Sequence, residues 1–386
     1  MDYGNQILGA TIWDRAAAFK NRVITRQQYR LLDLFGVLTR HPPLDRLMSK
    51  FARTFIGSYL YSIKVEVNTA CTLDCEMCYV QKDEQQIPLG TVKDLIDQIA
   101  GCGVRLEILG GEPLLRKDIL DIIGYARGKV PFISLYTNGL FATPDFSRKL
   151  KAAGLDAAIV TLISHREEVH DRFTGTKGSW AGTVDGIRNL RDAEISTYTF
   201  TAVHSDNFAD FESIDDFVRS GFHAHPLFYQ YIPQRKDDRL VISREAWREI
   251  KRSVLLEKNR DHMDFVRRFY MLTGNACSGG NFVLTVKANG SVQPCPFISD
   301  LPLGNIRETG IWEIYRNRYK GTRLREFKRP PDECAKCSYV SICSGGCKAG
   351  NTILCGEYSR PDHRCPGPFG EEIDLENALD RIPTFF

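Results

Sequence analysis

Cys71-Thr-Leu-Asp-Cys75-Glu-Met-Cys78-Tyr79 sets three thiols within eight residues, in a C-x3-C-x2-C spacing. Four thiolates close a [4Fe–4S] cluster, whereas three leave one iron free to take another ligand. Zinc knuckles pair C-x2-C units and finish with four ligands, and no Cys or His stands in the twenty residues after Cys78. The spacing therefore favours a cluster with an open iron over two plainer alternatives, metal-free thiols or zinc with a distant fourth ligand. Val65-Glu-Val-Asn68 just upstream reads as the end of a strand. The triplet then occupies a loop at a strand's C-terminal end, where barrel enzymes build their active sites.

Working outward, strand-like runs at 62–68, 104–109, 132–137, 156–163, 196–203 and 226–232 alternate with helix-like stretches at 91–100, 117–127, 144–153, 183–191, 211–219 and 244–258. Six β–α repeats with right-handed crossovers make a parallel sheet, hence an α/β fold. A chain of 386 residues has room for two to three domains.

The segment from Asn68 to Tyr79, read with Leu109-Gly110-Gly111-Glu112-Pro113 about thirty residues further on, resembles the opening of radical S-adenosylmethionine (SAM) enzymes. The resemblance implies an incomplete, TIM-like (β/α)6 barrel whose open side admits a large substrate. It also implies that SAM's methionine chelates the open iron of a [4Fe–4S] cluster held by Cys71, Cys75 and Cys78. Tyr79 would then lie near the adenine, while Gly110, Gly111 and Glu112 would receive the methionine ammonium. Glycines suit a close backbone approach, although G-G-E-P alone is as readily an ordinary strand-end turn.

At the other end, Cys277 is followed by Gly290 and Cys295, then Cys334-x2-Cys337-x5-Cys343-x3-Cys347, then Cys355 and Cys365. This pattern resembles the SPASM extension of radical SAM enzymes at seven cysteines and implies two auxiliary iron–sulfur clusters of [4Fe–4S] type. By resemblance Cys334, Cys337, Cys343 and Cys365 ligate the outer one, and Cys277, Cys295 and Cys347 the inner one. Sulfatase-maturating relatives place a further Cys between the first two, and none stands between Cys277 and Cys295. Either Cys355 completes the inner cluster or that cluster keeps an open iron. Two zinc sites built from the same eight thiols are the plain alternative. Pro296 stands where the sulfatase maturases carry a proposed basic Asp, which disfavours that activity. Cys102, in Gly-Cys-Gly, reads as a buried inert thiol.

The middle of the barrel departs from the relatives. Where many have V-S-I-D-G and later H-D-R-F-R-G, this chain has Val160-Thr161-Leu162-Ile163-Ser164 and His170-Asp171-Arg172-Phe173-Thr174-Gly175. Thr161 keeps a hydroxyl that could meet SAM. Ile163 replaces the Asp and Thr174 the Arg expected on SAM's carboxylate, with Arg172 as a possible substitute. His170 and Asp171 read equally as a surface helix cap.

The expected domains are a basic helical extension at 1–60, the radical SAM barrel at 61–262, the SPASM domain at 263–370 and a tail at 371–386. The first sixty residues carry nine Lys or Arg against four Asp, so the rest of a chain of net charge +3 is −2. Leu44, Leu47, Met48, Phe51 and Phe55 share a helical face with Arg46, Lys50 and Arg53 off it. Such a helix packs on a neighbouring domain, or lies on an anionic membrane surface or a phosphorylated substrate. Nothing suggests nucleic acid. Without an apolar leader or an eighteen-residue apolar run, a reducing cytoplasm is expected. The resemblance implies reductive cleavage of SAM to a 5′-deoxyadenosyl radical, fed by a flavodoxin- or ferredoxin-type donor. That radical would take hydrogen from a peptide or protein, or alternatively from a sugar, lipid or other anionic small molecule, with the auxiliary clusters moving electrons. The rival class is a non-catalytic electron carrier or zinc scaffold.

Overall fold

The protein is described here from a computed structural model covering residues 11–38, 59–250 and 277–369. Six parallel strands follow one another in order: β1 (Ser62–Glu66), β2 (Arg105–Leu109), β3 (Ile133–Thr137), β4 (Ala157–Thr161), β5 (Ser196–Val203) and β6 (His225–Gln230). Helices α2 (Leu89–Ile99), α3 (Ile119–Ala126), α4 (Pro144–Ala153), α5 (Glu167–Thr174), α6 (Ser179–Asp192), α7 (Phe211–Phe222) and α8 (Arg244–Ile250) fill the connections, after an N-terminal α1 (Ile12–Leu38).

The pleat explains the architecture. Ile63 and Val65, Leu106 and Ile108, Ile133 and Leu135, and Ala158 and Val160 belong to one buried apolar core. The alternate positions, Lys64, Glu107, Tyr136 and Thr161, are only half-buried and line the concave side. A parallel strand covered on both faces reads as continuously apolar, so the polar alternation marks a lumen. The helices meet the core with a matching period. α2 buries Val92, Leu95, Ile96 and Ile99, and α3 buries Ile119, Ile122, Ile123 and Ala126. The start of α4 is set by Thr143, whose hydroxyl accepts from the Phe146 amide at 3.2 Å with Pro144 in the first turn, and its end by Gly154 at φ +111°.

The sheet does not stop at β1. β7 (Val283–Val286) pairs parallel with β1, and β8 (Ser291–Gln293) and β9 (Gly304–Asn305) add antiparallel strands outside it. The C-terminal module, which also contains α9 (Ile311–Asn317), α10 (Leu324–Lys328), α11 (Val340–Cys343) and α12 (Lys348–Cys355), is thus hydrogen-bonded to the barrel's flank. One expected helix shifts, with α6 beginning at Ser179 instead of 183, and the short α5 was not anticipated. The described part of α8 ends at Ile250, and the rest of the expected 244–258 helix lies outside the described residues.

α1 seats on the N-terminal end of the barrel. Asn21 Nδ2 donates to the carbonyls of Leu60 and Cys102 at 3.0 and 2.9 Å, and its Oδ1 accepts from the Leu60 amide at 2.6 Å. Asp14 pairs with Arg316 of α9. This helix therefore packs on the barrel and on α9. The amphipathic segment around Leu44–Phe55 and the 371–386 tail lie outside the described residues. Among the described residues no helix is long and apolar enough to cross a membrane.

Candidate functional site

The Cys71–Cys78 loop leaves the C-terminal end of β1 and is laid directly on the end of β2. The amides of Gly111 and Glu112 donate to the carbonyls of Asn68 and Ala70 at 2.9 and 2.7 Å. A Cβ on Gly110 would lie 2.4 Å from the Asn68 carbonyl oxygen, and one on Gly111 2.3 Å from that of Ala70. Both glycines are therefore required by the approach of the cysteine loop itself. From its other side the loop is tied to α5, with the amides of Asp74 and Glu76 donating to the carbonyls of Thr174 and Phe173 at 2.9 and 3.0 Å. Lys82 Nζ closes it by donating to Leu73 O and Asp74 Oδ1 at 2.5 and 2.7 Å.

Thr174, where an Arg was expected, is buried with its hydroxyl 2.6 Å from that of Ser179. Arg172 does not take its place: it is exposed and lies 3.5 Å from Asp206. Two residues along a helix turn a side chain to the opposite face. Asp171 accepts from the amides of Gly178 and Trp180 and from the Ser179 hydroxyl at 2.5, 2.7 and 2.8 Å, capping the N-terminus of α6. Its reading as a cap holds, and it explains the early start of that helix. His170 is buried instead of superficial. Its Nδ1 accepts from the Ile163 amide at 3.2 Å, and burial holds its pKa down at about 4, so it supports the end of β4 as a neutral ring.

The thiols fall into three sets by their mutual electrostatics. Cys75 is pushed up to about 12 by burial and by neighbouring Cys78 and Cys71. Cys71 is raised by burial, Glu112 and Cys78. In the C-terminal module burial, Cys277 and Cys347 raise Cys295 to about 12. Burial, Cys365, Asp362 and Cys334 raise Cys343 to about 12, and burial, Cys365 and Cys337 raise Cys334 to about 11. Cys365 is raised by burial, Asp362 and Cys337. The sets are Cys71, Cys75 and Cys78; Cys277, Cys295 and Cys347; and Cys334, Cys337, Cys343 and Cys365. None of the twelve cysteines is in a disulfide. Cys355 stands apart, exposed at the last residue of α12. Cys347 caps the start of that helix, and eight residues at about 1.5 Å each put Cys355 about 12 Å further along its axis.

Glu112 is fully buried. Its carboxylate accepts from the Leu114 amide (2.9 Å), the Thr137 hydroxyl (2.8 Å) and the Asn138 amide (2.8 Å). These bonds favour its charge, but burial without a cationic partner wins and lifts its pKa to about 7.

Comparison with known proteins agrees with this arrangement. The model of the radical SAM superfamily matches residues 65–218, and that of the SPASM iron–sulfur cluster-binding domain matches 277–338, together more than half of the chain. The chain belongs to the radical SAM superfamily and carries a SPASM domain. It is 27% identical to the AdoMet-dependent heme synthase of Methanosarcina barkeri, over 78% of this chain and 94% of that one. It is 26% identical to the mycofactocin maturase MftC of Mycolicibacterium smegmatis, over 86% and 89%. The fold matches the structure of anSMEcpe with bound AdoMet and Kp18Cys peptide, with a TM-score of 0.65 and 15% identity over 83% of this chain and 96% of that one.

This radical SAM enzyme takes [4Fe–4S] clusters and SAM as cofactors, and its thiols fit them. They are sheltered, reduced and grouped. Amide N–H groups face their sulfurs, Gly350 to Cys347 Sγ and Phe369 to Cys337 Sγ, each at 3.5 Å. Thiols raised by burial stay protonated until iron displaces the proton. Among the described residues no three Cys, His, Asp or Glu side chains converge as ligands of a single metal ion.

The space between the first set and the inner trio is bridged by Tyr79 and by aromatic and charged groups that sequence reasoning missed. The Tyr79 ring meets Phe297, two residues past Cys295, edge-on at 4.8 Å. Lys287 Nζ lies 4.8 Å from the centre of that ring and bonds Glu66 Oε1 and the Pro296 carbonyl, each at 2.6 Å. Deeper in the lumen Lys64 pairs with its register partner Glu107 at 2.9 Å, and the Tyr136 hydroxyl reaches Glu107 at 3.1 Å. The available signal was a charge at every second position of otherwise apolar strands. Thr161 ends β4 half-buried on the same concave side.

Proposed function

We propose that the enzyme binds its first cluster at Cys71, Cys75 and Cys78, and SAM between Tyr79, the Gly110-Gly111-Glu112 turn and Thr161. The substrate would be a peptide lying across the barrel mouth. Reduced in the presence of SAM, that cluster supplies a 5′-deoxyadenosyl radical able to take hydrogen from an unactivated C–H bond. The chain's own groups do the positioning. The Gly110-Gly111 backbone fixes the loop that carries the three thiols. Glu112, buried without a cation, offers its carboxylate to the ammonium of the methionine moiety. Tyr79 and Phe297 wall off water between the two halves. Arg172, turned toward Asp206, is left out of the SAM contacts.

The other ligand sets follow the groupings above, with Cys334, Cys337, Cys343 and Cys365 for the outer auxiliary cluster and Cys277, Cys295 and Cys347 for the inner one. Cys355 is outside both. A flavodoxin- or ferredoxin-type protein in a reducing cytoplasm would supply electrons. We take the barrel module as 61–262 and the cluster module as 263–370, the latter lending β7 to the barrel's sheet.

The observation that carries this reading is the half-exposed thiol triplet, laid on Gly110 and Gly111 at the mouth of a polar lumen. A peptide is favoured because MftC is a maturase and the fold relative holds a peptide. A second reading, a small carboxylate-bearing molecule, is favoured by Lys287 lying over the Tyr79 ring and by the heme synthase relative. The anaerobic, reduced protein with SAM is expected to release 5′-deoxyadenosine. Release stimulated by a candidate precursor peptide, or instead by an iron porphyrin, decides between the two substrates. No release from iron-replete protein would refute the assignment.

A further inference from the structure

Two lysines in the cluster module, Lys348 buried and Lys328 half-buried, are held by backbone carbonyls. Lys348 is 1% exposed, yet its ammonium donates only to two backbone carbonyls, Arg329 O at 2.9 Å and Tyr358 O at 3.2 Å. Lys328 donates to Cys277 O at 2.6 Å. Neither has a carboxylate partner among the described residues. The acids nearby are committed elsewhere. Asp362 accepts from Arg364 at 2.7 and 2.8 Å and from the Cys347 amide at 2.9 Å, and Glu333 pairs with Arg360 at 2.9 Å. A buried, uncompensated charge is expensive, and these two ammonium groups also repel each other.

The groups that could offset them are the sulfurs. Burial lowers the pKa of Lys348, and negative charge at Cys277 of the inner trio and at Cys334 and Cys343 of the outer set would raise it. Burial likewise lowers the pKa of Lys328, and negative charge at Cys277 and Cys295 of the inner trio would raise it. Lys348 lies beneath the turn between Cys343 and Cys347, where a Cβ on Gly345 would come within 3.3 Å of its Nζ. Neutral thiols cannot compensate an ammonium. Clusters held by thiolates can, because they carry net negative charge that grows by one electron on reduction.

We infer that Lys348 is the shared counter-charge of both auxiliary clusters, that Lys328 serves the inner one, and that the two set these clusters' reduction potentials. The inference rests on the ligand groupings proposed above. A fixed positive charge in a low-dielectric setting stabilises the more negative, reduced form and so raises the potential. Both lysines act through the clusters and are positioning residues, not catalytic ones. Spanning both sets, Lys348 also ties their potentials together.

The test is a redox titration followed by electron paramagnetic resonance, in holoenzyme carrying Cys71→Ala, Cys75→Ala and Cys78→Ala so that only the auxiliary clusters contribute. Lys348→Met is expected to move both midpoints to more negative values, and Lys348→Arg to restore them. Lys328→Met should move the inner midpoint alone. A lysine that merely filled space would lower the melting temperature and leave the potentials where they were. Unmoved midpoints in iron-replete Lys348→Met overturn the inference. Should that variant fail to hold iron, Lys328→Met decides, and an unmoved inner midpoint overturns it. Failure of the groupings looks different: Cys277→Ser and Cys334→Ser would then abolish the same signal in the unsubstituted lysine background.

Discussion

The two cysteine regions solve opposite problems with the same side chain. The Cys71–Cys78 loop is pinned at its ends, by Gly110 and Gly111 on one side and α5 on the other, and leaves all three thiols half-buried at the barrel mouth. Its nearby lysine, Lys82, is at the surface and satisfied by Asp74. The C-terminal thiols sit among short helices and are backed by Lys348, buried, and Lys328, half-buried, neither with a carboxylate partner among the described residues. What differs is the lysine behind the thiols: exposed and paired with a carboxylate at the rim, buried and held by backbone carbonyls in the C-terminal module. The contrast teaches that what packs behind the thiols, more than their number or spacing, separates the two regions, because the inner trio also stops at three.

The largest break in that comparison comes from the rim. Cys71→Ala, Cys75→Ala and Cys78→Ala are each expected to reduce 5′-deoxyadenosine release to background, while roughly two thirds of the iron, that of the auxiliary clusters, stays bound. Release retained in all three variants would remove the triplet from the reaction.

Next in size is the reverse experiment. Cys334→Ala or Cys337→Ala should remove one cluster's iron and lower the melting temperature clearly, because metal-binding energy in small modules is folding energy. SAM cleavage should survive in part, since the triplet hangs on β1, Gly110 and Gly111, and α5, not on the outer set. Unchanged iron would contradict the outer ligand set.

A third, smaller effect tests the pinning itself. Gly111→Ala drives a methyl against the Ala70 carbonyl at 2.3 Å. Because backbone must yield, a loss on the order of 1–3 kcal/mol is expected, with displaced thiols and weakened SAM cleavage. Gly90→Ala, with nothing within 4 Å of the new Cβ and a helical backbone, is the control and should be neutral or slightly stabilising. Equal stability and activity in the two variants would mean the loop does not depend on that contact.

Much of this was legible in the sequence. The six strands showed as apolar runs, and the helices as i, i+3, i+4 and i+7 stripes such as Val92, Leu95, Ile96 and Ile99. β7 was not legible, because four residues carry too short a pattern and its pairing depends on the free edge of β1. Lys348 was not either: a lysine in a polar stretch reads as solvated, and only the packing of Tyr358 and the Arg329 backbone around it removes the water. The role of Thr174, where the resemblance led to an Arg being expected, follows from three-dimensional register, which sets its hydroxyl against that of Ser179.

The smallest expected effect belongs to Cys355, and it sharpens the comparison from the closed side. Sequence spacing alone left Cys355 able to complete the inner set, since eight C-terminal thiols make two fours. The helix between Cys347 and Cys355 carries the second thiol about 12 Å along its axis to an exposed position, which supports the proposal that it stays outside the inner set. Cys355→Ala should therefore keep full iron content, and its stability should stay within about 0.5 kcal/mol of the parent, as for a surface substitution away from a special contact. The paramagnetic signals of the auxiliary clusters should coincide with those of the unsubstituted protein. A changed inner-cluster signal would show instead that α12 unwinds at its end to deliver the thiol. The inner cluster would then be closed by four sulfurs, and the rim would differ from both C-terminal sets in ligand number as well.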